Sequence, residues 1–457
     1  MTRGTVIMGV LALLSFVGAM SMRPVEVAPP TFQDTGEALF PEFVDPNAAT
    51  FLEVKDYDEE SAQLTSFSVK LEDGKWVIPS HNNYPADGTE QMGKAAASFI
   101  SVTKDVVRSD DPKEHAEFGV VDPEDEAAAK DSRGRRVTIK DASGTNLVDV
   151  IIGKDVPERQ GFKFVRYPGE NRVYAVELDP QVSTGFTDWI EDDLLKMESD
   201  DIVAVLSNSY SVVEGTDPVT GEKTTKLEND NPMYFELSDS GAFGADGQPS
   251  AEWATAAPPV FGPDGARIDP ATWEGEEPLP QPATAPEGKE LNPTKVKQIV
   301  GASDRMKIVG VRPRAARLDP FEMKSKGFFL VGEPPRLSLL GNEGEVHLIS
   351  NDGVIYTLFF GEVTYATGEA LSAGGEEDAV EEGEDASRAN RYMFVNVSYD
   401  ARRDQSAGAP AIDGEPRGEA RAQMLAERFE RWYYVIQDSS FVQVHKVPDD
   451  FWRDLKE

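Results

Sequence analysis

The sequence has 457 residues, of which 82 are acidic and 45 are basic, so the formal net charge at pH 7 is -37. A surface charge of this sign repels phosphate backbones and argues against binding to nucleic acid. There is no cysteine and there are four histidines, which excludes disulfides, thiolate zinc sites and cysteine nucleophiles. The length predicts more than one domain.

An uncharged, apolar segment runs from residue 4 to residue 22. As a helix it would be roughly 28 Å long at about 1.5 Å per residue, enough to cross the hydrocarbon core of a bilayer once. Arg3 precedes it and an acidic chain follows, which predicts a single pass with the amino terminus inside and the bulk of the chain extracytoplasmic, or periplasmic. Residues 1–23 are therefore predicted to be a transmembrane anchor in the cytoplasmic membrane. The alternative is a signal peptide cleaved near Val17-Gly18-Ala19.

Residues 24–49 contain several prolines and are predicted to form an extended tether. Strand patterns begin at residue 50, and Asp73-Gly74 separates two of them as a hairpin turn. A helix is predicted from Thr89 to about Val107, because apolar residues recur at helical spacing. A shorter helical piece is predicted over 124–130. The predicted strands are 50–54, 66–71 and 75–78.

The most regular part of the first half has three segments rich in strand-forming residues, divided by turns. They indicate an antiparallel meander. An amphipathic segment over 184–197 is predicted to form a helix that packs on it. The meander segments are 135–154, 161–168 and 171–178.

A similar order of elements recurs in the second half, in pattern and not in identity. We predict an α+β fold of two similar units, each an antiparallel β-meander with packed helices, over 50–200 and 201–457; chance similarity of two meanders is the alternative. The corresponding strands are predicted at 201–213, 232–237, 345–362, 391–399 and within 432–455, and helices at 291–306 and 420–431.

Two segments of the second unit lack the pattern of a core element. Residues 240–290 are rich in proline and are predicted to be an exposed linker or insertion. Residues 372–388 are strongly acidic, and like-charge repulsion predicts an open, solvated loop. The acidic loop has no regular Asp/Asn/Gly spacing that would indicate a calcium site.

Few residues suggest chemistry. Ser101 and Lys104 have the S-x-x-K spacing, but no K-T-G motif follows and an amphipathic helix explains them. His115 and Glu117 have the H-x-E spacing of zinc deaminases without the cysteines that this site requires. The candidates with the least specific patterns are the histidines His81, His347 and His445, the basic cluster Arg133–Arg136, and the aromatic residues Tyr433, Tyr434 and Phe441.

For each of these candidates the pattern also fits a structural role. The histidines are far apart in the sequence, the basic cluster fits the charged start of a strand, and aromatic residues of a meander pack inward more often than they bind sugars. We therefore predict no catalytic, cofactor-binding or metal-binding residues and no cofactor.

One constellation of motifs resembles a known family. The constellation consists of the hairpin KLEDGKWVIP, the segment YPAD before a helix, EFGVVDP, the meander VTIKDASG with DVIIGK, FVRYPG with VYAVEL, and DWIEDDLLK. Together these motifs resemble the bacterial family called domain of unknown function 4340. The resemblance covers residues 37–200, and the second half only by pattern. It implies a membrane-anchored extracytoplasmic protein, associated with auxiliary components of an ABC transport system linked to gliding motility. It implies no catalytic residues.

These observations predict a non-enzymatic accessory or scaffold component of a membrane (ABC-type) transport complex, with transport subunits and the bilayer as partners. The alternative is a module that binds cell-envelope glycan or protein through aromatic residues of the meander. A third hypothesis is a glycosidase that uses two of the 82 acidic residues, since such chemistry requires only a pair of carboxyl groups.

Overall fold

The structure is a computed structural model. The predicted anchor, residues 24–34 of the predicted tether and residues 375–388 of the acidic loop lie outside the described residues. Within the described part of the chain, no helix is both long enough and apolar enough to span a bilayer. The structure describes residues 35–58, 63–216, 221, 223–243, 249–260, 268, 273, 275, 278–315, 319–333, 336–366, 368–374, 389–405 and 416–455.

Two large antiparallel sheets dominate the fold, and the predicted α+β class is confirmed. The first sheet has the strand order β4-β3-β2-β1-β6-β7-β8-β9-β5, so the predicted meander forms its centre. Its strands are β1 (Phe51–Asp58), β2 (Gln63–Glu72), β3 (Lys75–Ile78), β4 (Tyr84–Pro85), β5 (Val106–Ser109), β6 (Arg135–Lys140), β7 (Asn146–Asp155), β8 (Phe162–Arg166) and β9 (Val173–Glu177).

The second sheet has the order β14-β13-β10-β19-β20-β21-β22-β16, and three two-stranded ribbons pair β11 with β12, β15 with β23, and β17 with β18. The strands are β10 (Ile202–Asn208), β11 (Ser211–Thr216), β12 (Lys223–Glu228), β13 (Met233–Phe243), β14 (Pro249–Thr255), β15 (Lys289–Leu291), β16 (Ile308–Pro313), β17 (Phe328–Glu333), β18 (Arg336–Gly341), β19 (Glu345–Ser350), β20 (Asp352–Thr364), β21 (Asn390–Asp404), β22 (Trp432–Gln437) and β23 (Trp452–Asp454).

The helices pack against these sheets. The helix predicted over 291–306 is α3, and Pro293 occupies its first turn, where its missing N–H costs no helical hydrogen bond. The buried face of α1 carries Met92, Ala95, Ala96 and Phe99 at helical spacing. The helices are α1 (Thr89–Phe99), α2 (His115–Phe118), α3 (Pro293–Asp304), α4 (Pro320–Ser325), α5 (Gly368–Ser372), α6 (Gly418–Phe429) and α7 (Asp438–Val444).

The predicted hairpin at Asp73-Gly74 is confirmed. Both residues have positive φ, 49° and 78°, as a two-residue turn of type I′ requires. This turn fixes the register of β2 and β3, in which Glu72 pairs with Lys75.

The prediction that the first helix continues to Val107 is wrong. The helix ends at Phe99, and Ser101 has a φ of 66°. Val106 and Val107 instead pair with β9 and form the edge strand β5. Their β-branched side chains suit a strand, and the partner strand lies too far along the sequence for helical periodicity to reveal it.

The amphipathic segment 184–197 forms only a single 3-10 turn at Phe186–Trp189, so the predicted helix is absent. Lys196 has a φ of 47°, which an α-helix does not allow. The apolar side chains of this segment are nevertheless buried, as the prediction of packing on the meander required. The buried residues are Phe186, Trp189, Ile190, Leu194, Leu195 and Met197.

The helical piece predicted over 124–130 is also absent. Asp122 and Asp125 accept hydrogen bonds from the backbone N–H groups of Glu124 and Ala127, each at 3.0 Å. These local bonds give the backbone an alternative to a helix, which is the usual effect of aspartate in such positions.

Two segments predicted to lie outside the core contribute to the fold. Leu39, Phe40 and Phe43, in the predicted tether, are buried in the main core, so the folded part begins before residue 50. In the proline-rich segment, Pro249–Thr255 forms the edge strand β14, in which Trp253 opposite Leu237 is buried. Burial of isolated apolar side chains explains both corrections, because composition averaged over a segment conceals them.

One hydrophobic core extends through both sheets. It contains Leu52 and Val137 of the first sheet, Val205 and Tyr356 of the second, and Phe99 of α1, each with at most 1% of its surface exposed. Each sheet also carries a smaller apolar cluster of its own. The described part of the chain is therefore held together by contacts between the two sheets as well as within each.

Replacing Gly93 with alanine should raise the free energy of unfolding by about 0.5–1 kcal/mol, because a helix-interior glycine loses more conformational entropy than alanine. Gly93 lies within α1, and a Cβ at this position would meet no atom within 4 Å. Urea titration measures the effect. The matched control is Gly119→Ala, which should destabilise the protein because Gly119 has a φ of 67° and its Cβ would lie 2.8 Å from Lys154. A loss of stability in Gly93→Ala would contradict this account of α1.

Candidate functional site

The structure does not bring Ser101 and Lys104 together as a catalytic pair. Ser101 is exposed, directly after the end of α1. The Lys104 ammonium lies 3.7 Å from a carboxylate oxygen of Glu37 and 5.4 Å from the ring centroid of Tyr174. These contacts give the lysine a structural role on the first sheet.

The four histidines lie in separate places. The Nε2 atom of His115 is 2.8 Å from the backbone oxygen of Asn171, that of His347 is 3.1 Å from Glu345, and the ring of His445 stacks on Phe441. Among the residues that the structure describes, no three histidine or carboxylate side chains are placed to hold a metal ion.

His81 lies at the contact between the two halves of the chain. Its ring is 3% exposed, stacks on Phe186 at 4.6 Å, and places Nε2 2.9 Å from the hydroxyl of Ser372. Burial, reinforced by the charge of Arg312, lowers the pKa of His81 from 6.5 to about 4. The folded protein therefore holds this ring neutral at neutral pH.

Acidification should destabilise the protein through His81. Since the unfolded chain takes up the proton first, the stability due to the neutral ring is fully present above pH 6.5 and is lost as the pH falls from 6.5 towards 4. A shift of this size is worth about 3 kcal/mol. Urea titrations across this pH interval should show a smaller loss of unfolding free energy for His81→Gln than for the unchanged protein. Equal pH dependence of stability in the two proteins would refute the assignment to His81.

Two arginines of the basic cluster Arg133–Arg136 form ion pairs across the first sheet, while Arg133 Nη2 donates to the backbone oxygen of Ala128 at 3.1 Å. Arg136 Nε donates to Asp149 Oδ1 at 3.0 Å, and Arg135 Nε donates to Asp56 Oδ2 at 2.7 Å. The charges of Arg135 and Arg136 are thus compensated within the sheet and are poorly available to an anionic ligand, which fits the role of a charged start of a strand.

The aromatic residues considered for sugar stacking are buried. Tyr433, Tyr434 and Phe441 have 1%, 0% and 7% of their surface exposed. Tyr434 and Phe441 belong to the main core, and Tyr433 belongs to the smaller cluster on the opposite face of the second sheet. The hypothesis that these three rings form an exposed stacking platform is therefore wrong. Tyr433 and Tyr434 are adjacent in β22, so their side chains point to opposite faces of the sheet and pack into two different cores.

Tyr433 nevertheless lines a cleft on that opposite face. The β17–β18 ribbon lies over strands β20, β21 and β22, and the cleft between them has a volume of about 430 Å³. Its floor consists of Phe359, Phe394 and Tyr433, one residue from each of the three strands. The ring centroids of Phe359 and Phe394 are 6.4 Å apart, and those of Phe394 and Tyr433 are 5.8 Å apart.

The ribbon supplies the apolar walls of this cleft. Leu330, Leu337 and Leu339 line it, together with Met323 of α4. Leu337 is 49% exposed, so the described part of the chain does not fully cover this side chain. Most of the residues that line the cleft are apolar, polar groups of Arg314, Asn396 and Glu430 also reach it, and its volume is that of a small-ligand site.

Charged residues lie at the rim. The guanidinium of Arg314 is 5.2 Å from the ring centroid of Phe394. Lys326 does not line the cleft; its ammonium is 5.3 Å from the ring centroid of Tyr433 and pairs with Glu322 at 3.4 Å. Glu430 lies on the same rim and is exposed. Burial, reinforced by Glu322, raises the pKa of Tyr433 to about 12, so its hydroxyl stays neutral and can donate a hydrogen bond.

A second, polar cleft of about 460 Å³ lies where the segment after β9 meets α6. Asp352, 3% exposed, accepts a hydrogen bond from Arg421 Nη1 at 3.0 Å. Arg421 Nη2 donates to the backbone oxygen of Lys196 at 2.8 Å. Burial raises the pKa of Asp352, but the hydrogen bond and charge of Arg421 outweigh it, so the pKa lies below its ordinary value.

Sequence reasoning missed both clefts. The ribbon was not predicted, although FFLVGE and RLSLLG, on either side of Pro334-Pro335, have strand-forming composition. The polar cleft depends on a contact between Asp352 and Arg421, which are 69 residues apart. No local pattern indicates such a contact.

Comparison with known proteins identifies one family. The sequence profile of the family described as Domain of unknown function (DUF4340) matches residues 76–326, which is more than half of the chain. The match begins in β3 and ends just after α4, so it includes parts of both sheets. The chain matches no curated protein and no solved structure. The resemblance predicted from its motifs is thus confirmed, and the chain belongs to the DUF4340 family.

Proposed function

We propose that this protein is a non-enzymatic accessory or scaffold component of a membrane (ABC-type) transport complex. A single amino-terminal helix would hold it in the cytoplasmic membrane, with the folded part outside the cytoplasm. The apolar segment over 4–22, with Arg3 before it and acidic sequence after it, supports this placement.

The observation that carries the scaffold role is the core shared by the two sheets. Contacts such as the edge-to-face packing of Tyr84 on Trp432, with ring centroids 4.9 Å apart, join them. A body of this kind presents surfaces of both sheets to partners at fixed separations, because close-packed interiors resist deformation.

We also propose that the two sheets are copies of one unit. The correspondence in chain order pairs β1 with β10, β2 with β13, β3 with β14, α1 with α3, β5 with β16, and the meander β6–β9 with β19–β22. The sheet orders support this correspondence, since β3-β2-β1-β6-β7-β8-β9-β5 is matched position by position by β14-β13-β10-β19-β20-β21-β22-β16. The boundaries predicted at 50–200 and 201–457 would separate the copies.

Affinity capture of the tagged full-length protein from gently solubilised native membranes tests the role. We expect transporter permease and ATPase subunits in the eluate, together with an amino-terminal peptide that contains Arg3. A Leu13→Arg, Leu14→Arg variant serves as control and should lose both membrane retention and these partners. Recovery of the protein alone, with a terminus near Met20, would refute the anchored role.

An activity assay tests the non-enzymatic part of the proposal. Purified protein is expected to leave peptidoglycan and polysaccharide unchanged. Turnover of either would refute the proposal and support the carboxylate-pair glycosidase instead.

Binding of a cell-envelope glycan or protein is the second candidate function. The polar cleft favours it, because carboxylate, amide and guanidinium groups suit hydroxyl-rich ligands; Asp201, Asn351, Arg417 and Arg421 line it. Calorimetric titration with envelope oligosaccharides should show binding that Arg417→Ala weakens severalfold and exposed Arg431→Ala does not. Equal affinity in both variants would remove the polar cleft from consideration.

A further inference from the structure

We propose that the apolar cleft under the β17–β18 ribbon binds a single-chain anionic lipid. The acyl chain would lie against the leucines and the aromatic floor, and the carboxylate or phosphate head would lie at Arg314. This site is independent of the accessory role proposed above, since it requires no transporter.

The walls and the volume favour an acyl chain. Leu330, Leu337 and Leu339 face the floor formed by Phe359 and Phe394, and a chain lying between them would remove apolar surface from water on both sides. The cleft measures about 430 Å³, in the lower part of the ~300–1,000 Å³ range of small-ligand sites. That size suits one chain rather than two.

The rim favours an anionic head. Arg314 is half-buried at the cleft mouth, and within the described part of the chain it has no ion pair with a carboxylate. Arg312, two residues earlier, has its guanidinium occupied by the backbone oxygens of Ala370 and Leu371. A partly desolvated guanidinium without a carboxylate partner gains most from an anionic ligand.

A cationic head is disfavoured by the same rim. Arg314, which lines the cleft, already lies over Phe394, so a cationic ligand would meet like charge where it could otherwise contact that ring. Glu430 is exposed and solvated, which weakens its attraction for a cation. The negative charge of Glu430 would repel an anionic head, and the head would therefore lie towards Arg314.

Photo-cross-linking in zwitterionic nanodiscs tests the proposal on the full-length protein. The probe is a dodecanoate that carries a diazirine in its chain, and mass spectrometry locates the adducts. We expect adducts on peptides that contain Leu330, Leu337 or Leu339. Unlabelled dodecanoate should suppress them at least tenfold more effectively than dodecanol, and dodecyltrimethylammonium should not suppress them.

Two variants make the result specific. Leu339→Trp should fill the cleft and reduce labelling at least fivefold. Arg314→Gln should weaken competition by dodecanoate severalfold and leave competition by dodecanol unchanged, whereas the exposed control Arg431→Gln should change neither. Adducts elsewhere in the chain, or labelling that both cleft variants leave intact, would overturn the proposed site. Equal competition by the three amphiphiles would overturn the claim of anion recognition. Arg314→Gln tests anion recognition even if Leu339→Trp fails to fold.

Discussion

Replacing Arg421 with methionine should lower the free energy of unfolding by about 3 kcal/mol, because it leaves a buried carboxylate without its counter-charge. The side chains of Arg421 and Asp352 are 13% and 4% exposed, and they meet at 3.0 Å. Arg421 also donates to the hydroxyl of Tyr356 and to the backbone oxygen of Lys196. The substitution therefore removes contacts between α6 and the second sheet and between the two halves. Urea titration followed by circular dichroism measures the loss.

A double-mutant cycle separates the ion pair from the lost packing. Asp352→Asn combined with Arg421→Met should be more stable than the sum of the single losses predicts, because no buried charge remains unpaired. The matched control is Arg453→Met, which breaks an ion pair with Glu290 whose side chains are 40% and 36% exposed. This control should lose less than about 1 kcal/mol. Additive losses of unfolding free energy in the cycle would show that the ion pair between Asp352 and Arg421 does not contribute to stability.

Replacing Trp189 with alanine should cost about 3–5 kcal/mol, the usual penalty for removing a large buried aromatic side chain. Trp189 is 1% exposed and lies 5.9 Å from Phe67 between ring centroids. Its Nε1 donates to the backbone oxygen of Ser183 at 3.0 Å, and its own backbone oxygen accepts from the N–H of Asp87. The residue thus attaches the segment after β9 to both the sheet and the start of α1.

The position and the environment of Trp189, rather than its aromatic character, should account for this loss. Phe321 provides the control, because it is a large aromatic residue that is 86% exposed, and Phe321→Ala should change stability by less than about 0.5 kcal/mol. Circular dichroism during urea titration is suitable, since it does not depend on tryptophan emission. A loss below about 1 kcal/mol for Trp189→Ala would indicate that the segment after β9 is not held by this side chain.

Much of the strand arrangement follows from local patterns. The turn at Asp73-Gly74 predicts the pairing of β2 with β3, and turns between apolar runs predict the meander β6–β9, both confirmed in the sheet order. A two-residue turn and an alternating strand are specified by neighbouring residues. The sequence alone therefore supports these predictions.

The ends of helices are harder to predict from the sequence, because residues that fit a helical pattern can instead pair with a distant strand. Val106 pairs with Ala175, and this pairing ends the helix that periodicity extends to Val107. In the same way, Trp189 and Leu194 are buried without an α-helix between them, since a neighbouring sheet can bury apolar residues in any conformation.

By itself, the sequence determined the acidic charge, the apolar segment over 4–22, the antiparallel meanders and the family resemblance, because composition and short-range pattern encode these features. Only the tertiary structure decided that Tyr433 faces a cleft while Tyr434 enters the main core, and that Asp352 meets Arg421. These features depend on which distant elements cover each face of a strand. Residues close in the sequence do not specify which distant element covers a given face of a strand. That arrangement follows from the burial of surfaces that are assembled only when the whole chain folds.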